Sequence, residues 1–189
     1  LEGATSLLLF PTKALAHDQL RRLRAMAQVL GVEGVFPYDG DTPSATRRQA
    51  RERGLVLLSN PDMLHYGLLP RHPDWAPFLA RLRYVVLDEL HAYRGVFGTH
   101  VALILRRLLR LARHYGASPQ VLAASATIAN AREHAEALTG LPFEELKAQV
   151  ARTERELLVL LPKPLDRRGE RRRSPLLEAA YLARRLAEA

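Results

Sequence analysis

Short apolar runs alternate along the chain with longer stretches of helical spacing, and most runs stop at Pro, Ser, Asn or Asp. Residues 6–10, Ser-Leu-Leu-Leu-Phe, close at Pro11, the signature of a short buried strand. Residues 12–30 then set Leu15, Leu20, Leu23 and Leu30 among charged side chains, which predicts a helix. Residues 34–38 predict a second strand, followed by the turn cluster Asp39-Gly40-Asp41-Thr42-Pro43 and a polar, arginine-rich helix over 44–53. A third strand over 55–58 is closed by Ser59-Asn60-Pro61, with Asn60 placed to cap a helix whose first turn accepts Pro61. Residues 84–87 predict the fourth strand, 101–114 a strongly apolar helix, and 120–124 the fifth strand, ending in Ser125-Ala126-Thr127. Five such strands alternating with helices predict an α/β fold, a parallel sheet with helices on both faces in three layers. The pattern changes after residue 143: a sixth strand over 157–161, a charged stretch over 166–173 and a helix from Ser174-Pro175 to the end predict the start of a second unit.

The most informative polar positions end the fourth strand. Tyr84-Val85-Val86-Leu87 runs directly into Asp88-Glu89-Leu90-His91, which delivers two adjacent carboxylates to the carboxyl edge of the sheet, where ligands of open α/β sheets bind. A metal-bound nucleotide calls for one carboxylate on Mg²⁺ and another to orient or deprotonate the attacking water.

Composition narrows the classes. The chain has 189 residues, 48% of them hydrophobic, enough for one α/β domain and part of another. Cysteine is absent, which excludes disulfides and thiolate metal sites and agrees with a reducing, cytoplasmic setting. No apolar run approaches the ~20 residues of a membrane-spanning helix, so no membrane association is expected. The net charge is +8, and Lys13, Lys147 and Lys163 are the only lysines, so the basic side is almost all arginine. That balance points toward polyanions, nucleic acid first, and equally toward a plain bias for arginine. The seven histidines lack metal-ligand spacing; His17, His65, His72, His114 and His134 read as scattered surface residues. Hydrolase-triad and zinc-protease motifs are absent.

Four motifs stand in order, each at a predicted strand end: Pro11-Thr12-Lys13-Ala14-Leu15-Ala16, Ser59-Asn60-Pro61-Asp62-Met63-Leu64, Asp88-Glu89-Leu90-His91 and Ser125-Ala126-Thr127. Together they resemble motif Ia, a Thr/Ser-x-Pro strand-end motif, motif II (DExH) and motif III (SAT) of the superfamily 2 DEAD/DExH helicases. With Tyr38 to Pro43 and Asp88 to Gly98 the finer resemblance is to the bacterial MrfA-like mitomycin-repair helicases, over essentially the whole chain. It implies a RecA-like P-loop NTPase fold, with domain 1 over residues 1–149 and the linker and first strand-helix unit of domain 2 over 150–189. It further implies ATP and Mg²⁺ as cofactors, with Asp88 holding Mg²⁺ through water and Glu89 acting as base or water-positioner. His91 would couple the nucleotide to motif III, and Ser125, Ala126 and Thr127 would link motif II to strand grip. Pro11, Thr12, Lys13, Ser59 and Asn60, with Gly40 and Asp41, would face a nucleic-acid backbone, DNA in preference to RNA. The loop over 93–100 would turn at Gly95 and Gly98, with Arg94 either free to meet nucleic acid or simply part of a connector.

One family feature is missing. No Gly-x-x-x-x-Gly-Lys-Ser/Thr phosphate loop occurs in the sequence. With Leu1 only ten residues before Pro11, the expectation is a piece truncated upstream, inactive alone as an ATPase, with residues 120–124 left as an exposed edge strand. Two other readings stay open at this point: a nucleic-acid-binding module or degenerate helicase without catalysis, and the motor part of a nuclease or restriction translocase.

Overall fold

The computed structural model describes residues 3–126 and 128–146. Among them, five parallel strands form one sheet: β1 (Thr5–Leu9), β2 (Val35–Pro37), β3 (Val56–Ser59), β4 (Leu82–Leu87) and β5 (Gln120–Ala123), in the order β2-β3-β1-β4-β5. The helices are α1 (Lys13–Val29), α2 (Ser44–Arg53), the single turn α3 (Pro61–Met63), α4 (Ala76–Ala80), α5 (Gly95–His114) and α6 (Ala131–Thr139). The sixth strand, the charged stretch and the final helix expected from the sequence, Thr127 and the domain boundary at 149/150 all lie outside the described residues.

Strand alternation sorts the core into two faces. Leu7, Leu9, Leu57, Val85 and Leu87 point to one face, where Val101, Leu105, Leu108 and Ala112 of α5 and Ala135 and Leu138 of α6 cover them. Leu58 points to the other face and packs with Phe10, Val35 and, from α1, Ala16 and Leu20. Among the described residues that second face is covered on the β2-β3-β1 side and thins toward β5, where Leu122 is 43% exposed. β5 is the outer strand of the described sheet, as expected for residues 120–124.

Two elements depart from their predicted form. The helix opening at Pro61 lasts one α turn before a π turn over Leu64–Leu68 and 3₁₀ turns over Leu69–Trp75. Pro70 and Pro73 lie within that stretch and lack the N–H that a regular helix would use. Conversely, α5 begins six residues earlier than its apolar spacing suggests, absorbing the stretch expected to be a loop. Gly98 explains the difference. A Cβ there would lie 2.4 Å from the Tyr93 carbonyl oxygen, so the first turn of α5 closes against Tyr93 only with glycine at this position.

Gly98→Ala is accordingly expected to lower stability by about 1–3 kcal/mol through overpacking against backbone that cannot give way. Thermal unfolding beside a Val96→Ala control, a residue 77% exposed, checks this; equal midpoints would contradict it.

Candidate functional site

The sheet order gathers the sequence motifs along one edge. From one side to the other, the ends of β2, β3, β1, β4 and β5 present Asp39–Thr42, Ser59–Asn60, Pro11–Lys13, Asp88–His91 and Ser125–Ala126. The helix after β1 packs on one face and the helix after β4 on the other. A crevice at the carboxyl edge is therefore expected between β1 and β4, the point where connections diverge.

The turn after β4 is held from both sides. The Asp88 N–H donates to the Leu9 carbonyl of β1 at 3.0 Å, and the Leu90 N–H donates to the Ala124 carbonyl beyond β5 at 2.9 Å. Between them Glu89 takes φ 50°, ψ 48°, the one non-glycine residue with positive φ among the described residues. A residue of this kind in the left-handed region costs about 1–3 kcal/mol, sustained here by the clamped neighbours. Its N–H donates to Asp88 Oδ1 at 2.9 Å, fixing one oxygen of that carboxylate. Asp88 and Glu89 are both half-buried.

His91 links this turn to the end of β5. Its Nδ1 lies 3.3 Å from Glu89 Oε2 and 3.4 Å from Ser125 Oγ. With its proton on Nδ1 the ring donates toward the carboxylate, whereas a bare Nδ1 accepts from the serine hydroxyl, so the tautomer selects the partner. Both side chains of the ion pair are substantially exposed, at 40% and 36%, so the pair contributes orientation more than stability.

Two further residues support the turn and were not anticipated as site residues. Tyr93 is fully buried, and its hydroxyl donates to the Leu9 carbonyl at 3.3 Å, the oxygen that also receives Asp88 N–H. Burial first, then the Asp88 and Glu89 carboxylates, raises the Tyr93 pKa far above that of a free phenol, so it stays a neutral donor. His134 of α6 places Nε2 3.1 Å from the Leu90 carbonyl, tying the helix after motif III to the turn after motif II. It is thus not an idle surface histidine.

On the other half of the edge, the residues expected to face a nucleic-acid backbone divide. Thr12 caps α1, accepting from the Leu15 N–H at 3.4 Å, and Lys13 projects outward to Asp41 at 2.9 Å. Ser59 and Asn60 are buried instead: the serine hydroxyl donates to the Tyr38 carbonyl at 2.6 Å, and the asparagine Oδ1 accepts from the Met63 N–H at 2.8 Å. The hydroxyl proton of Ser59 and Oδ1 of Asn60 are thus committed internally. Pro11 is half-buried at the end of β1, and Gly40 is exposed with its Cβ position 3.5 Å from Lys13 Nζ.

The loop carrying Gly40 and Asp41 is built around Asp39. Its Oδ1 accepts from the Asp41 N–H and the Thr42 hydroxyl, both at 2.9 Å, and its Oδ2 meets His17 Nε2 at 2.6 Å. Arg47 of α2 completes the frame, donating to the carbonyls of Thr42, Asp39 and Gly40 at 2.8, 2.9 and 2.9 Å. His17 was readable only in hindsight: it lies one helical turn beyond Lys13, so both can meet the same loop.

This arrangement is that of a helicase motor domain. The chain belongs to the DEAD/DEAH box helicase family, whose pattern matches residues 1–136. It is 44% identical over 185 residues to the ATP-dependent helicase YprA of Bacillus subtilis, covering 97% of this chain and 25% of that protein. It is 41% identical over 143 residues to the ATP-dependent helicase HRQ1 of Saccharomyces cerevisiae, covering 73% of this chain and 13% of that one. Among solved structures, the DUF1998 helicase MrfA bound to DNA and AMPPNP superposes with a TM-score of 0.85 at 43% identity, over 98% of this chain and 26% of that chain. The DEAD-box helicase Mss116 shares the fold, with a TM-score of 0.58 at 16% identity over 71% of this chain and 28% of that chain. The chain thus spans about a quarter or less of the curated relatives it matches.

The loop around Asp39 yields a pH prediction. Burial alone would raise this carboxyl, but hydrogen bonds from His17, Thr42 and the Asp41 N–H outweigh it and bring the pKa below the ordinary 3.8. Asp39 therefore stabilises the fold fully above that value, and the contribution fades as pH falls through the lower folded pKa. Urea unfolding across this range is expected to show a shallower pH dependence for Asp39→Asn than for the wild type; parallel curves would contradict it.

Proposed function

We propose that this chain is the motif II-bearing part of an ATP-dependent DNA helicase, acting on Mg²⁺-bound ATP at one half of its sheet edge and following a nucleic-acid strand along the other. The observation that carries this reading is the Asp88–Glu89 turn, strained at Glu89 and clamped between β1 and β5. Backbone strain kept at a carboxylate pair on a sheet's ligand edge is the mark of a working site.

The donor set suits Mg²⁺ arriving with its nucleotide. Mg²⁺ is commonly held by one or two carboxylates, with phosphates and water completing its shell. Asp88 and Glu89 offer that much, and no cluster of three or more metal-binding side chains occurs among the described residues. When bound, the ion would neutralise charge on the β- and γ-phosphate oxygens.

Asp88, with one oxygen fixed by the Glu89 N–H, would hold the ion through water with the other. Glu89 holds or deprotonates the water that attacks the γ-phosphate. His91, placed between Glu89 Oε2 and Ser125 Oγ, passes the state of the nucleotide to the end of β5. Ala126 and Thr127 continue that segment as the remainder of motif III. Across the edge, Pro11, Thr12, Lys13, Gly40 and Asp41 lie along the path of the strand, with Lys13 as its phosphate cation. The Lys13–Asp41 pair is exposed, so a phosphate can replace the carboxylate at small cost. Residues 150–189 would lead into the second RecA-like domain, which closes the cleft over ATP. DNA is favoured over RNA because MrfA, similar over nearly the whole chain, binds DNA.

In the intact helicase, Glu89→Gln is expected to reduce ATP turnover roughly 10²–10⁴-fold, the usual worth of a general base, while an ATP analogue still binds. Steady-state ATPase and analogue titration check this; undiminished turnover would contradict the role. The 189-residue chain by itself, lacking a phosphate-loop sequence, is expected to hydrolyse ATP negligibly in the same assay.

A further inference from the structure

We infer that Asp41 is an internal competitor for the phosphate position on Lys13, a residue that sets the strength of the strand grip by opposing it. This rests on the reading of Lys13 as the strand's phosphate cation, and it changes the part of Asp41 within that reading from contact to rival.

Lys13 is placed where an anion is called for. It is the first residue of α1, directly after the Thr12 cap, so its ammonium adds to the positive end of the helix dipole. The first turn of α1 holds no acid of its own. Asp41 supplies one from another element, 28 residues on, with Oδ2 accepting from Nζ at 2.9 Å. A backbone phosphate would seek the same ammonium, so two anions contend for one charge. Lys13 is also the only lysine among the described residues, whose other basic side chains are arginine and histidine. A guanidinium can clasp a carboxylate through two parallel bonds, whereas an ammonium is a compact point charge with freely turning donors. The lysine therefore suits a pair that has to be exchanged.

The loop keeps Asp41 in this place. Asp39 is buried, and its Oδ1 accepts from the Asp41 N–H, the two-residue reach of an Asx turn. Arg47 fastens the carbonyls of Asp39, Gly40 and Thr42 on either side. The main chain at Asp41 is thus pinned, and its side chain, 70% exposed, is the part left to swing. Such a carboxylate can turn aside but cannot withdraw. It leaves a negative charge beside an arriving phosphate, and it stands ready for Lys13 when that phosphate departs. Grip and release at this position become an exchange of anions, modest in size because the pair is exposed.

The test is fluorescence-anisotropy binding of a labelled oligothymidylate to the intact helicase. Asp41→Asn keeps the N–H that Asp39 holds and is expected to tighten binding about two- to fivefold, the worth of an exposed ion pair. Lys13→Ala is expected to weaken binding, and in that background Asp41→Asn should gain little, because the cycle separates competition from plain repulsion. Asp18→Asn controls for net charge: it frees Arg21 and Arg22 on the same helix and should not tighten binding comparably. If Lys13→Ala weakens binding while Asp41→Asn leaves it unchanged or weaker, the competitor is overturned and the strand reading stands. An equal gain from Asp41→Asn with and without Lys13, or an equal gain from Asp18→Asn, overturns the competitor as well. Binding in Lys13→Ala equal to that of the wild type overturns the competitor together with the strand reading.

Discussion

The clamp on the turn after β4 is the constraint on which the site depends. The Leu9 carbonyl receives both the Asp88 N–H and the Tyr93 hydroxyl, and the Ala124 carbonyl receives the Leu90 N–H. These bonds hold Glu89 in a left-handed conformation that a carboxylate side chain does not choose by itself. Two adjacent residues of an ordinary strand would point to opposite faces. The left-handed step changes the chain's direction at the edge, and the Glu89 side chain then lies within reach of His91. Gly98 belongs to the same construction, since it lets α5 close on the Tyr93 carbonyl and keeps the phenol beneath the turn.

Sheet order turns this local device into a division of labour. With β1 central, the ends of β2 and β3 fall on one side and those of β4 and β5 on the other. Lys13, at the end of the middle strand, thus lies between the carboxylate pair and the Asp39 loop. On the β4 and β5 side, short connections tie the carboxylate turn to its neighbours: His91 to Ser125, and His134 to Leu90.

Much of this was legible in the sequence because burial on both faces of a parallel sheet writes itself as short apolar runs, and because strand ends carry the polar motifs. The five strands, the Asn60 cap and the placing of Asp88 and Glu89 at a strand end were legible in this way. The failures have equally physical causes. Glycines at 95 and 98 look like loop residues, yet one of them is needed for a close backbone approach inside a helix. Prolines at 70 and 73 interrupt a segment whose apolar spacing alone suggests a longer helix. Ser59 and Asn60 are buried, with the serine hydroxyl on the Tyr38 carbonyl and Asn60 Oδ1 on the Met63 N–H, contacts that the strand-end pattern does not reveal. His17, Arg47, Tyr93 and His134 act through partners 5 to 84 residues away, in pairings that apolar periodicity does not encode.

The central claim is that Asp88 and Glu89, adjacent in sequence, perform separate tasks because the clamped turn aims them differently. Titrating Mn²⁺, as a paramagnetic stand-in for Mg²⁺, into the intact helicase with a non-hydrolysable ATP analogue and following it by electron paramagnetic resonance tests this directly. The account expects nucleotide-dependent Mn²⁺ binding that is lost in Asp88→Asn and retained in Glu89→Gln. Mn²⁺ binding that survives Asp88→Asn unchanged, or that disappears equally in both variants, would contradict it.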